Sequence, residues 1–152
     1  MDYTNEKVKQ AGAVVQSFVT INKTLTKFTL HNATSLGLTL PQMGILNTIN
    51  YAPEITLSAI TDKLQLPKST VSTNVEELVR LGLIERKTND ADRREIRLTA
   101  TVNGQELAQK STQNASSYRA MMFALENLPE EDIQVLTRIH SELLHYLQEF
   151  TL

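Results

Sequence analysis

The sequence predicts a mainly α-helical chain with one small β-hairpin. Three observations predict it. Apolar residues recur at spacings of three and four through most of the 152 residues. Between Leu57 and Thr101 that period is broken by two turn signals, Gln65-Leu66-Pro67 and Leu81-Gly82. Beyond the second signal the period becomes two: Glu95-Ile96-Arg97-Leu98-Thr99-Ala100 alternates polar and apolar, as a half-buried strand does. Helix, turn, helix and hairpin in this order describe a winged helix-turn-helix, here flanked by long helices at both ends.

Length and composition suit one globular domain or two closely joined pieces. Cysteine is absent, which excludes disulfides, thiol redox sensing and cysteine-ligated metal. No apolar run approaches membrane-spanning length, and Met1-Asp2-Tyr3-Thr4-Asn5-Glu6 has no signal-peptide pattern. The expected location is cytoplasmic, with no membrane partner. The formal net charge is −2, so the distribution of charge carries more than its sum. Residues 55–99 hold eight Lys/Arg against seven acids, with the bases bunched at the hairpin; residues 100–152 hold three against seven. A mildly acidic chain binds DNA if the contacting face is basic.

Residues 5–31 read as one long helix. Val8, Ala11, Val15, Phe18 and Leu25 form one stripe, with Val14, Ile21 and Phe28 beside it. A stripe this wide predicts contacts on two sides, one of them a partner chain. Asn32-Ala33-Thr34-Ser35-Leu36-Gly37 reads as a break. Thr39 caps the next helix, Pro41 sits in its first turn, and Ala52-Pro53 ends it. Thr56-Leu57-Ser58 opens a short helix that buries Leu57, Ile60 and Leu64; Leu66 plugs the turn that follows.

The helix after Pro67 turns Val71, Val75 and Leu78 inward. Ser69, Ser72, Thr73 and Glu76 face the other way, with Lys68, Thr70 and Asn74 on the margins. Short polar side chains let a helix backbone approach a groove floor, and hydroxyls, amides and N-terminal N–H groups bond base edges or phosphates. The same residues also serve as ordinary capping and solvated positions, and this helix alone does not decide between the two. Gly82 ends it. Strands at residues 83–87 and 95–100 flank the polar tip Thr88-Asn89-Asp90-Ala91-Asp92-Arg93-Arg94. A tip arginine enters a minor groove readily; a solvated turn with local Asp–Arg pairs is the plainer alternative. Position directly after a helix-turn-helix favours the wing.

Thr101 caps a helix expected to run about 25 residues to Leu125, a strut of roughly 37 Å. Leu128-Pro129 and three acids open the last helix, whose Ile133, Leu136, His140, Leu143, Leu147 and Phe150 make a heptad-like seam. Residues 8–30 and 133–150 thus carry more apolar face than the middle of the chain needs. They are expected to pack on each other and on a second copy.

Other constellations are weak. His140 and His145 are five residues apart and project from different helix faces; they read as a polar seam contact and a solvated residue, and no metal site is expected. There is no Gly-rich phosphate loop, no hydrolytic triad and no cofactor motif, so the chain is not expected to be an enzyme. Met43, Met121, Met122 and Phe123 suit the lining of an effector pocket, but core filling is the favoured role.

Two stretches resemble the MarR family of bacterial transcription regulators. Leu64-Gln65-Leu66-Pro67-Lys68-Ser69-Thr70-Val71-Ser72 through Leu78-Val79-Arg80-Leu81-Gly82-Leu83-Ile84-Glu85-Arg86 resembles its helix-turn-helix. Asp92-Arg93-Arg94, with Thr101-Val102-Asn103-Gly104 downstream, is similar to its wing signature and the helix start after it; Leu38-Thr39-Leu40-Pro41-Gln42 fits its second helix. Asn89, where the wing often has Asp, and Ala100, where Leu is usual, depart from the pattern. The resemblance implies a homodimer joined by the first and last helices, with residues 1–34 and 102–152 as the dimerisation region and 35–101 as the DNA-binding domain. It implies a sequence-specific regulator, a repressor, that acts on double-stranded DNA at a palindromic operator and is released by a small phenolic or aromatic effector.

The expected DNA contacts are Lys68, Ser69, Thr70, Ser72, Thr73 and Asn74 on the recognition helix, Arg93 and Arg94 on the wing, and Arg86 and Lys87 on the backbone. The alternatives are a winged-helix protein-interaction module, favoured by Glu76, Glu77 and Glu85, and a constitutive DNA-binding regulator with no effector.

Overall fold

A computed structural model describes residues 2, 4–88 and 96–151. Its elements are α1 (Glu6–Ser35), α2 (Leu40–Tyr51), β1 (Ile55–Thr56), α3 (Leu57–Leu64), α4 (Lys68–Arg80), β2 (Ile84–Thr88), β3 (Ile96–Ala100), α5 (Val102–Gln113), α6 (Ser116–Leu125) and α7 (Glu130–Glu149). They form two compact units, Met1–Ser116 and Ser117–Leu152.

In the first unit α2 is the hub. It packs against α1, α3, α4, α5 and β3. Thr39 starts it with a capping box: its hydroxyl accepts from Gln42 N, and the Gln42 side chain accepts from Thr39 N. Ile45, Leu46 and Ile49 of α2 are fully buried with Ile60 of α3, Val71, Val75 and Leu78 of α4, and Ile84 and Leu98 of the sheet. Each such side chain stabilises the fold by roughly 1.5–3 kcal/mol. The sheet is antiparallel, in the order β1-β3-β2. Leu98 and Ala100 of β3 are buried on one side, whereas Ile96, expected with them, is exposed at the wing end.

Three boundaries differ from the sequence expectation. Asn32-Ala33-Thr34-Ser35 does not break α1, which continues to Ser35; Asn32 and Ala33 are buried there, and tertiary packing outweighs local turn preference. The chain then reverses at Leu36-Gly37, with Gly37 at φ 71°. The strut expected from Thr101 to Leu125 is two helices, broken after Gln113. Asn114 N donates to the Lys110 and Thr112 carbonyls, and Ser116 Oγ to the Asn114 carbonyl. Small polar side chains at that point offer the backbone alternatives to the helical ladder. The two-residue β1, invisible in the sequence, pairs Ile55 with Leu98 and Thr56 with Arg97.

Within the first unit, α1 buries only Asn32 and Ala33. Val14, Val15, Phe18, Ile21, Phe28 and Leu30 are exposed along it. Within the second unit, Val135, Leu136, Ile139, Leu144, Leu147 and Phe150 are exposed on α7 and at its end.

Candidate nucleic-acid interface

The helix-turn-helix is α3, the turn Gln65-Leu66-Pro67, and α4. Thr56 caps α3 by accepting from Ala59 N. Gln65 ends it in the left-handed conformation, φ 52°, and its side chain donates to the Asp62 carbonyl at 2.6 Å. Leu66 packs against the core, as the sequence predicts. Pro67 precedes α4 and supplies no side-chain cap, so the first N–H groups of α4 are left for water or for an anion.

On α4, Val71, Val75 and Leu78 are buried and fix which side faces out. Lys68, Ser69, Thr73, Glu76 and Arg80 are exposed; Thr70, Ser72 and Asn74 are half-buried on the flanks. At about 100° per residue, Ser69, Thr73, Glu76 and Arg80 share one arc opposite the core. Asn74 Nδ2 donates to the Thr70 carbonyl at 2.7 Å, which ties two of the expected contact residues together on one flank. Arg80 makes two bonds to Glu77 Oε2, at 3.0 and 2.7 Å.

A close backbone junction holds the far end of α4. Gly82, φ 69°, turns the chain. Thr101 Oγ1 donates to the Gly82 carbonyl at 2.7 Å and accepts from Gly104 N, while Thr101 N donates to the Leu83 carbonyl at 3.1 Å. Gly104 lies so near Leu83 that a Cβ on it would fall 1.9 Å from the Leu83 oxygen. The start of α5 is thereby keyed to the end of α4 and the first wing strand.

In the wing, β2 and β3 pair in the register Arg86↔Leu98 and Lys87↔Arg97. Consecutive strand residues point to opposite faces, so Arg86 and Lys87 address different sides of the hairpin. Lys87 pairs with Glu85 at 3.0 Å, and Arg97 with Glu54 at 3.5 Å. Both carboxylates offset the like charges that the register sets opposite each other. Arg97 carries no motif that would single it out in the sequence. The expected wing-tip contacts Arg93 and Arg94 lie outside the described residues.

Helix α1 is tied to α5 and α2 by a buried polar chain that sequence reasoning missed. Asn32 Nδ2 donates to the Ser111 carbonyl at 2.8 Å, and Ser111 Oγ donates to Asn47 Oδ1 at 2.8 Å. Ser111 lies in the last turn of α5, where carbonyls lack helical partners. Asn32 therefore caps a helix 79 positions away in sequence, a role that no local pattern announces.

The remaining candidates do not assemble a second site. Met43 is buried in the core; Met122 and Phe123 are exposed. Met121 lines an open groove of about 360 Å³ in the second unit with Leu125, Ile133, Leu136, His140 and Leu144. His145 lies 3.4 Å from Glu149 on the exposed side of α7. No group of three or more metal-ligating side chains occurs among the described residues, and no helix among them is long and apolar enough to cross a membrane.

Residues 36–95 match the MarR family, a span that runs from the C-cap of α1 through α2, β1, α3, α4 and β2 and stops just before β3. A multiple antibiotic-resistance repressor (MarR) from Listeria monocytogenes 4b F2365 is 30% identical; the alignment covers 95% of this chain and 98% of that one, with a TM-score of 0.67. Staphylococcus aureus MarR, solved in complex with salicylate and kanamycin, is 21% identical over 94% of this chain and 95% of its own, at a TM-score of 0.79. Wild-type MarR from E. coli in its apo form is 19% identical over 85% and 95%, at 0.71. The last two show likeness of fold alone. No curated protein matches the chain. A winged helix-turn-helix of this register, matched along almost its full length by the Listeria repressor, places the chain in the MarR family of transcription regulators.

Proposed function

We propose that the chain is a sequence-specific DNA-binding repressor that acts in the cytoplasm as a homodimer on an imperfect palindrome. The observation that carries this reading is α4: its inner side is locked into the core, and its outer side presents Lys68, Ser69 and Thr73 beside a hairpin. Ser72, Thr70 and Asn74 flank that side, and Arg86, Lys87, Arg93 and Arg94 supply the wing's positive charge. Residues 35–101 bind DNA; residues 1–34 and 102–152 pair two copies. The exposed apolar faces of α1 and α7 support the pairing, because large apolar surface left in water marks an interface. Two copies of α4 then enter successive major grooves about 34 Å apart.

The test is a binding titration on duplex DNA from the chain's own upstream region across a range of salt. Phosphate contacts release counterions, so a protein with about six contacts loses roughly 10³-fold in affinity between 50 and 200 mM salt. A protein-interaction module, the reading favoured by Glu76, Glu77 and Glu85, shows no such loss because it does not bind the duplex. Release by a small phenolic or aromatic acid is the finer part of the proposal. It is supported by the salicylate in the Staphylococcus aureus relative. Salicylate added to the preformed complex should weaken it; an unchanged complex leaves a constitutive regulator.

A further inference from the structure

We propose that Glu76 reads a base: its carboxylate accepts a hydrogen bond from the N4 amine of a cytosine in each half-site. This rests on the DNA-binding reading above. Glu76 sits on the outward arc of α4 with Ser69, Thr73 and Arg80, directly opposite the buried Val71, Val75 and Leu78. It lies seven residues beyond Ser69, about 10 Å further along the helix at 1.5 Å per residue, and so meets a different base pair. Its stem is longer than those of Ser69 and Thr73, and the carboxylate stands out from their row of hydroxyls.

The charge of Glu76 is not spent within the protein. Among the described residues it makes no hydrogen bond and no ion pair, whereas its neighbour Glu77 is doubly bonded to Arg80. Arg80 is four residues on, the natural helical partner for Glu76, and it is committed elsewhere. An uncompensated carboxylate on a DNA-facing helix is repelled by phosphate and gains only where a base offers a donor. In the major groove cytosine N4 and adenine N6 are the available amines. Adenine sets its N7 acceptor beside N6, which repels a carboxylate; cytosine has no acceptor on that side. The geometry therefore selects cytosine.

The test is selection of binding sites from a randomised duplex library by the full-length wild-type chain, Glu76→Gln and Glu76→Ala. Wild type should select a symmetric motif with one cytosine per half-site whose replacement costs about fivefold or more in affinity. Glu76→Gln should change the preference at that position alone, toward adenine, because an amide both donates and accepts. Glu76→Ala should lose the preference there and keep the rest of the motif. An identical motif for all three proteins overturns the proposal and leaves the DNA-binding reading standing. So does a uniform rise in affinity of the variants with no change in base preference, the mark of a carboxylate that merely repels phosphate. If wild type selects no motif at all, both readings fall.

Discussion

Replacing Gly104 by Ala adds one methyl group where the protein has no room for it. The new Cβ would lie 1.9 Å from the Leu83 carbonyl oxygen and 2.9 Å from its carbon, with Leu46 Cδ1 behind at 3.4 Å. The obstacle is backbone, so no side chain can swing away. Separation to ordinary contact takes about 1.5 Å of movement between α5 and the α4–β2 turn, and packed interiors resist such shifts. Overpacking of this kind costs about 1–3 kcal/mol. The Leu83 carbonyl also accepts from Thr101 N, a bond worth about 1 kcal/mol that the same movement strains. Better helix propensity of Ala returns about 1 kcal/mol.

The net expectation for Gly104→Ala is a loss of about 1–3 kcal/mol, or a Tm lower by about 2–12 °C for a chain of this size. The assay is thermal and urea unfolding at one fixed protomer concentration, since a dimer's stability depends on it. Gly44→Ala is the internal control. Nothing lies within 4 Å of a Cβ there, in the middle of α2, and the change should be neutral or stabilising by up to about 1 kcal/mol. If Gly104→Ala unfolds within about 0.5 kcal/mol of wild type, the proposed keying of α5 to the end of α4 is wrong.

Other changes test other joints. Asn32→Ala removes the donor that caps α5 and leaves the Ser111 carbonyl buried without it; urea unfolding should show a loss of about 2 kcal/mol, and an unchanged midpoint would refute the capping role. Gln65→Gly relieves a non-glycine residue at φ 52°; the strain released exceeds the entropy added, so the melting point should rise by the equivalent of about 0.5–1 kcal/mol, whereas a fall would show that the Gln65–Asp62 bond dominates. Arg94→Ala should weaken operator binding by about fourfold or more at fixed salt while the dimer persists in sedimentation; unchanged affinity would remove the wing from the interface.

Periodicity and capping chemistry carried most of the helix-turn-helix. Thr39 with Gln42, Thr56, the inward Val71, Val75 and Leu78, and the stop at Gly82 are local signals, and each stands where its local physics puts it. What the sequence concealed is tertiary. Asn32 reads as a helix breaker in isolation, yet its partner is Ser111, on another helix. The break after Gln113 is masked because apolar residues continue in helical spacing on both sides of the small residues Asn114-Ala115-Ser116-Ser117. Two residues of β1 are too few to show a period. In the site, spacing separates the outer from the inner face of α4 but does not show that Asn74 bonds back to Thr70 or that Arg80 is held by Glu77. The same spacing set Arg86 and Lys87 side by side as backbone contacts, whereas the pleat turns them to opposite faces.

The central claim is that two copies of α4 read adjacent turns of one DNA duplex. A hydroxyl-radical footprint of the full-length chain on its own upstream region tests it most directly. Two symmetric protected half-sites centred about one helical turn, roughly 10.5 bp, apart are the expected result. Unprotected DNA at low salt, or protection with no symmetry and no preferred position, would contradict the claim.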